Sequence, residues 1–145
     1  MDTNKDALQS ALNLFKCTNR LHMKVFDKCL GSMNIRRSQH RILMYLYRNG
    51  TAVSQKDIAA EFEISPAAVA VTLKKLEEGG YILRTAHEND NRYNSVSITD
   101  KGLEVVHTTR EVFFKVDMLM FDELSADDFI CENKVIAKIY EEIKI

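Results

Sequence analysis

The 145-residue chain has no apolar run near the ~18–20 residues that a membrane-spanning helix needs. Its opening MDTNKDALQS lacks the basic and apolar regions of a secretory leader, so the expectation is a soluble cytoplasmic protein with no membrane partner. Cysteine is scarce: Cys17, Cys29 and Cys131 are an odd set with no CxxC pair, which argues against a disulfide framework and a tetrahedral zinc site. There is no phosphate-binding glycine loop, nucleophile elbow or HExxH pattern, and no carboxylate pair stands out from ordinary charged helix faces. An enzyme is therefore not expected, and no cofactor is implied. Positive charge is also short. The net charge of −1 argues against a nucleic-acid partner, since affinity for phosphate comes mainly from Lys and Arg. That average hides a gradient: residues 1–30 carry five basic and three acidic side chains, 31–102 ten and eight, and 103–145 five and ten. The acidic excess is confined to the last third, which leaves the remainder mildly basic.

What is present is helical spacing. No Gly or Pro precedes Gly31, and Leu8, Leu12, Phe15, Leu21, Val25 and Leu30 recur at helical intervals, which predicts one long helix over about 6–30. A second helix follows from about Arg36, with Ile42, Leu43, Leu46 and Tyr47 on one side, and stops at Asn49-Gly50. Thr51-Ala52-Val53 has room for only a β-bridge. Ser54 reads as the N-cap of a short helix over 55–62, with Asp57 near its positive end. Ser65 then caps a helix whose first residue is the chain's single proline, Pro66, placed where no N–H is missed, and Gly79-Gly80 ends it after Glu78. Tyr81–Thr85 and Ser95–Thr99 are β-rich and flank the polar stretch AHENDNRYN, a hairpin with a long tip. Asp100 reads as the cap of a long helix over about 101–121, and Ser125 as the cap of a last helix from about Ala126. The fold class is thus mainly α with a small β-hairpin wing, the order of a winged helix-turn-helix.

The helix-turn-helix makes a checkable demand on side-chain direction. Ile58, Ala59, Phe62, Ile64 and Val69 fall where the two helices pack on each other, although Glu63 stands where the turn often has Gly. At about 100° per residue, Val69, Leu73 and Leu76 enter the core, and Ala67, Ala70, Val71 and Lys74 face outward. An outward face so poor in charge suggests a covering partner; the alternative is an ordinary surface with small apolar residues. If the partner is DNA, Ala67, Ala70 and Val71 touch thymine methyls, while Ser65, Lys74 and Lys75 hold phosphates. The tip residues Asp90-Asn91-Arg92-Tyr93 read either as a solvated turn or as a reader of the minor groove. In the second reading Arg92 enters the groove and Asp90 aims its guanidinium.

These residues resemble the MarR family of winged-helix bacterial transcription regulators. The resemblance is carried by Ser38-Gln39-His40-Arg41-Ile42-Leu43, by VSQKDIAAEFEISPAAVAVTLKKLEEGGYI, and by Asp90-x-Arg92 followed by Val96-x-Ile98-Thr99-x-x-Gly102. It implies one domain over 1–145, with dimerisation helices at about 4–31 and 101–145 and a winged helix-turn-helix at about 36–100. It further implies a homodimer on a palindromic operator, with Ser65–Lys75, Pro66 included, in the major groove and Arg92 in the minor groove. A repressor responsive to a small aromatic or amphipathic effector is the expected form. The surplus of large apolar residues on the terminal helices, among them Phe15, Phe114, Met118 and Phe129, independently calls for a second copy. Symmetry would then set the reading helices about one DNA turn, ~34 Å, or a multiple apart. Sparse hydrogen-bonded readout leaves much of the specificity to Arg92, dimer spacing and DNA shape, and so favours A·T-rich palindromes.

The effector is less legible. His40, with His22 and Tyr47, is the candidate lining of a cleft between lobes. His22, Cys29, His40 and His107 invite a metal reading without diagnostic spacing, so no metal site is assigned. Cys17, flanked by Lys16 and Arg20, and Cys29 invite a thiol-redox reading, with inert packing as the alternative. A protein-protein interaction module using the same apolar helix face is the competing function.

Overall fold

The computed structural model describes residues 3–50, 53–87, 90–123, 125, 127, 128, 134, 137, 138 and 141; the side chains of 3, 4 and 86–94 lie outside that description. Helix α1 (Thr3–Ser32) runs through the segment that has no Gly or Pro before Gly31. It is closed by Asn34 at φ 55, which lets the Ile35 N–H donate back to the Leu30 carbonyl at 3.0 Å. Asn tolerates that left-handed conformation because its short polar side chain adds little crowding. Helix α2 (Arg37–Asn49) ends at Gly50, φ 75, whose N–H donates to Leu46 O. Strand β1 (Val53–Ser54), α3 (Gln55–Glu61) and α4 (Pro66–Glu78) follow, then β2 (Ile82–His87), β3 (Asp90–Ile98) and α5 (Asp100–Phe121).

The three strands form an antiparallel sheet in the order β1-β3-β2, with Val53 opposite Val96 and Ile82 opposite Ile98. The core gathers where helices and sheet meet: Leu43, Leu46, Ile58, Val69, Leu73, Leu76, Ile82, Val96 and Val106 are all fully buried. Leu73 and Val69 sit on the inward side of α4, as their spacing predicts.

Three expectations are corrected. The hairpin strands are longer than expected: pairing continues to Ala86–Asn94 and His87–Asp90, so β-structure covers most of the stretch read as a loop tip. Backbone pairing needs no apolar side chains, and a polar sequence hides it. The start of α5 is capped by Thr99 rather than Asp100. The Gly102 N–H donates to Thr99 Oγ1 at 3.2 Å, the Leu103 N–H to Thr99 O at 2.8 Å, and the Thr99 hydroxyl donates to Gly80 O at 2.8 Å. Gly102 has no room for a side chain, since an added Cβ would collide with the Tyr81 carbonyl oxygen and lie 2.7 Å from Ile98 Cγ1. The Thr99-x-x-Gly102 spacing therefore fastens α5 to the turn after α4. Third, Ile64 does not face inward; it is 41% exposed, because the turn at Glu63 rotates it outward.

Compact units divide at Phe113. Residues 1–113 hold the core above. In 114–145, Phe114, Met118 and Leu119 are exposed on α5. Ser125 has the expected cap chemistry: its N–H and Oγ donate to Asp128 Oδ2 at 2.9 and 2.6 Å, and these bonds hold the Asp128 carboxyl below its ordinary range. Residues 127, 128, 134, 137, 138 and 141 are helical. The remaining positions of the expected last helix, Phe129 and Cys131 among them, lie outside the described residues. Among the described residues no helix is long and apolar enough to cross a membrane.

Candidate nucleic-acid interface

The two helices of the motif are built from their caps. Ser54 Oγ accepts from the Asp57 N–H at 3.1 Å, and the Ser54 N–H donates to Asp57 Oδ2 at 3.0 Å, a reciprocal capping box that opens α3. The same bonds hold the Asp57 carboxyl below the usual carboxylate range. At the turn, Glu63 takes φ 51 and the Ile64 N–H donates to Ala59 O at 3.2 Å. The left-handed position that Gly would favour is thus occupied by glutamate, at a cost of roughly 1–2 kcal/mol. Ser65 Oγ accepts from the Ala68 N–H at 3.2 Å and Pro66 follows at the first helical position. A crosslink not anticipated from sequence joins the helices: Gln55 Nε2 donates to the Pro66 carbonyl at 3.0 Å. Only the approach of the α4 N-terminus gives Gln55 that partner.

With Val69, Leu73 and Leu76 buried, the opposite side of α4 is presented outward. Ser65, Pro66, Ala67, Lys74 and Lys75 are exposed, Ala70 is half-buried, and Val71 is 57% exposed. Ser65 has spent its oxygen on the helix cap but keeps its hydroxyl proton for an outside acceptor. Lys74 Nζ lies 3.8 Å from Glu78 Oε1, an exposed pair worth at most a few tenths of a kcal/mol, so the ammonium remains available. The sheet is tied to this helix by Arg84, whose Nε donates to Glu77 Oε2 at 2.8 Å and holds the Glu77 carboxyl below its ordinary range. Asp90 and Arg92 both lie on β3, two residues apart; the contact proposed between them lies outside the described side chains.

The effector candidates fall into two sets of contacts. His40 is 8% exposed, its Nε2 2.9 Å from Thr109 Oγ1 and its ring edge-on to Phe26 at 5.1 Å. Thr109 Oγ1 also lies 2.9 Å from Val105 O and from Val106 O, acceptors that take its single proton, so His40 must be the donor to Thr109. Burial holds the His40 imidazole below its ordinary value, which keeps it neutral. His22 packs edge-on against Phe113 at 5.2 Å, and Phe113 against Phe26 at 4.8 Å, so His22 and His40 share one aromatic cluster. Tyr47 belongs elsewhere: its hydroxyl accepts from Arg110 Nη1 at 2.7 Å and its ring meets His107 at 5.7 Å. His40 is therefore a packed, hydrogen-bonded link between α2 and α5. Among the described residues no three His, Cys, Asp or Glu side chains are grouped to hold a metal. Cys17 Sγ lies 3.6 Å from Arg20 Nη2 on the next turn, whereas burial pushes the Cys29 thiol up, away from the reactive thiolate.

The comparisons agree with this geometry. The model of the MarR family matches residues 33–92, from the entry of α2 through Arg92. The chain is 29% identical to the HTH-type transcriptional regulator BilQ of Clostridioides difficile (strain CD3), over 86% of this chain and 84% of that protein. It is 28% identical to the uncharacterized HTH-type transcriptional regulator YwhA of Bacillus subtilis (strain 168), over 80% and 83%. Among solved structures, the S. aureus MepR-DNA complex superposes with a TM-score of 0.75 at 22% identity, over 90% of this chain and 98% of that one. YusO of Bacillus subtilis does so at 0.74 and 24%, over 94% and 96%. Relatives named as transcription regulators, not enzymes, match most of this length, and the segment that matches the MarR family of transcription regulators, residues 33–92, spans the capped helix pair and the wing strands described above.

Proposed function

We propose that the chain binds duplex DNA as a homodimer on a palindromic operator and represses transcription until a small aromatic or amphipathic effector releases it. The observation that carries DNA binding is the outward side of α4. Ala67 and Val71 are exposed beside Lys74 and Lys75 on a helix whose other side is wholly buried. Small apolar groups admit the helix deep into a major groove, and flanking ammonium groups meet phosphates. Ser65, Pro66 and Ala70 complete that surface, with Asp90 and Arg92 on the wing strand reaching the minor groove. The MepR structure that shares this fold was solved with DNA, which supports the reading.

Homodimerisation is supported by exposed apolar groups on α1 (Leu8, Leu14, Phe15) and on α5 (Phe114, Met118, Leu119), more than a solvated helix leaves uncovered. The whole of 1–145 is read as one functional module acting in the cytoplasm. The effector reading rests on the family resemblance, with His22 and His40 as the nearest ring cluster.

Selection of duplexes from a random pool, followed by binding titrations across a salt series, tests the reading. The expected product is an A·T-rich inverted repeat with half-sites about one turn, ~34 Å, or a multiple apart, bound with a steep salt slope. Enrichment of no symmetric site, with binding indifferent to salt, would instead favour the protein-interaction module, because an apolar protein contact releases no counterions.

A further inference from the structure

A polar cleft of about 630 Å³ opens at the C-terminal end of α4, walled by Asn34 and Arg36 before α2, Gln39 on its first turn, Lys75 and Glu78 on α4, and Lys101 on α5. Its chemistry is that of an anion site. Gln39 is 8% exposed; its Oε1 accepts the Arg36 N–H at 2.8 Å, and its amide NH2 has no acceptor among the described residues. On a side chain otherwise buried, that NH2 is the part open to the cleft, where an acceptor from outside can reach it. Arg36 and Lys75 have no carboxylate partner among the described residues. Lys101 is held in place, its Nζ donating to Gly79 O at 2.7 Å and lying 4.5 Å from the centre of the Tyr81 ring, with two N–H bonds left over. The first turn of α2 adds free N–H groups: Arg36 at its cap carries no acceptor oxygen, unlike Ser54 and Ser65 on the next two helices. One carboxylate, Glu78, opposes three cations, and it is already 3.8 Å from Lys74.

We infer that this cleft binds a phosphate group through Arg36, Gln39, Lys75 and Lys101. Two sources share that chemistry: a backbone phosphate flanking the α4 surface, or a small phosphorylated molecule. At about 100° per residue, Glu78 falls within about 20° of Val71 and Lys75 within about 40°, so the cleft lies at the end of the same helix side. A duplex covering that side would carry its flanking phosphates past the cleft. Only this first source rests on the DNA-binding reading.

The test uses the full chain, with pyrophosphate as the probe for the free site and unrelated duplex DNA across a salt series for the bound one. Wild type is expected to bind one pyrophosphate, and Arg36→Gln or Lys75→Gln to weaken it about tenfold or more, the size of a lost charge-assisted bond. Gln39→Glu should abolish binding while leaving the thermal midpoint in place, because its oxygen still accepts the Arg36 N–H. Lys5→Gln, outside the cleft, should change nothing. If the phosphate is DNA's, Arg36→Gln and Lys75→Gln each lower the salt slope by about one and pyrophosphate competes with duplex. If it is a small molecule's, slopes hold and pyrophosphate binds alongside duplex. Absence of pyrophosphate binding by wild type together with unchanged slopes overturns the site, as does equal weakening by Lys5→Gln. A wild type that binds no duplex sinks the DNA reading alone, and the pyrophosphate titration still decides the cleft.

Discussion

Replacing Thr109 by valine exchanges a hydroxyl for a methyl of nearly the same size at a position with no solvent exposure, so packing survives and only the hydrogen bond from His40 Nε2 is lost. The Val105 and Val106 carbonyls that accept the hydroxyl proton keep their places within α5. The imidazole N–H is left buried without an acceptor, a condition that costs about 1–3 kcal/mol. Urea unfolding at one fixed protein concentration, necessary because association adds stability, should show that loss as a lower midpoint with an unchanged slope. His40→Leu alone should cost less than its burial suggests, since the Thr109 hydroxyl retains its carbonyl acceptors. The double variant His40→Leu with Thr109→Val removes both polar partners, and its loss should fall short of the summed singles by about 1 kcal/mol. A Thr109→Val protein as stable as wild type, or strict additivity in the pair, would refute the assignment of His40 as the donor.

Three further outcomes are expected. Arg92→Ala should weaken operator binding by about 1–3 kcal/mol with the fold intact, whereas Lys74→Ala should weaken all duplexes alike and flatten the salt slope; titrations against matched and mismatched duplexes separate the two. Gly102→Ala should destabilise by about 1–3 kcal/mol in thermal or urea unfolding, because the new Cβ meets the Tyr81 carbonyl and neither backbone segment yields easily. Stability should also fall as the pH drops below 6.5, the ordinary histidine value, because the unfolded chain protonates His40 there while burial delays protonation in the folded state. His40→Leu should flatten that part of the stability profile, as read by urea unfolding at pH 5 and 7.

The parts of the site legible in the sequence are those whose chemistry is local. Ser54 with Asp57, and Ser65 with Pro66, act on backbone groups within three residues, so their types and spacing carry the information. The outward side of α4 follows from helical periodicity alone. Illegible were features that depend on a distant partner. Thr99 and Asp100 are both acceptable caps, and what selects Thr99 is the Gly80 carbonyl waiting for its hydroxyl. Gln39 seemed part of a motif; its unused amide becomes significant only when α4 and α5 bring cations beside it. Ile64 matched the apolar spacing of the helix pair, yet a positive φ one residue earlier turned it to solvent.

By itself the sequence determined the order of elements, the helix boundaries marked by Ser, Pro and Gly, and which sides of the helices are buried, because caps and periodicity act over a few residues. Tertiary structure decided what those elements do to one another. It made His40 a buried link to Thr109, fastened α5 through Thr99 and Gly102, and gathered Arg36, Gln39, Lys75 and Lys101 around one cleft. Such contacts join residues up to 69 positions apart, a separation at which spacing along the chain carries no geometric information.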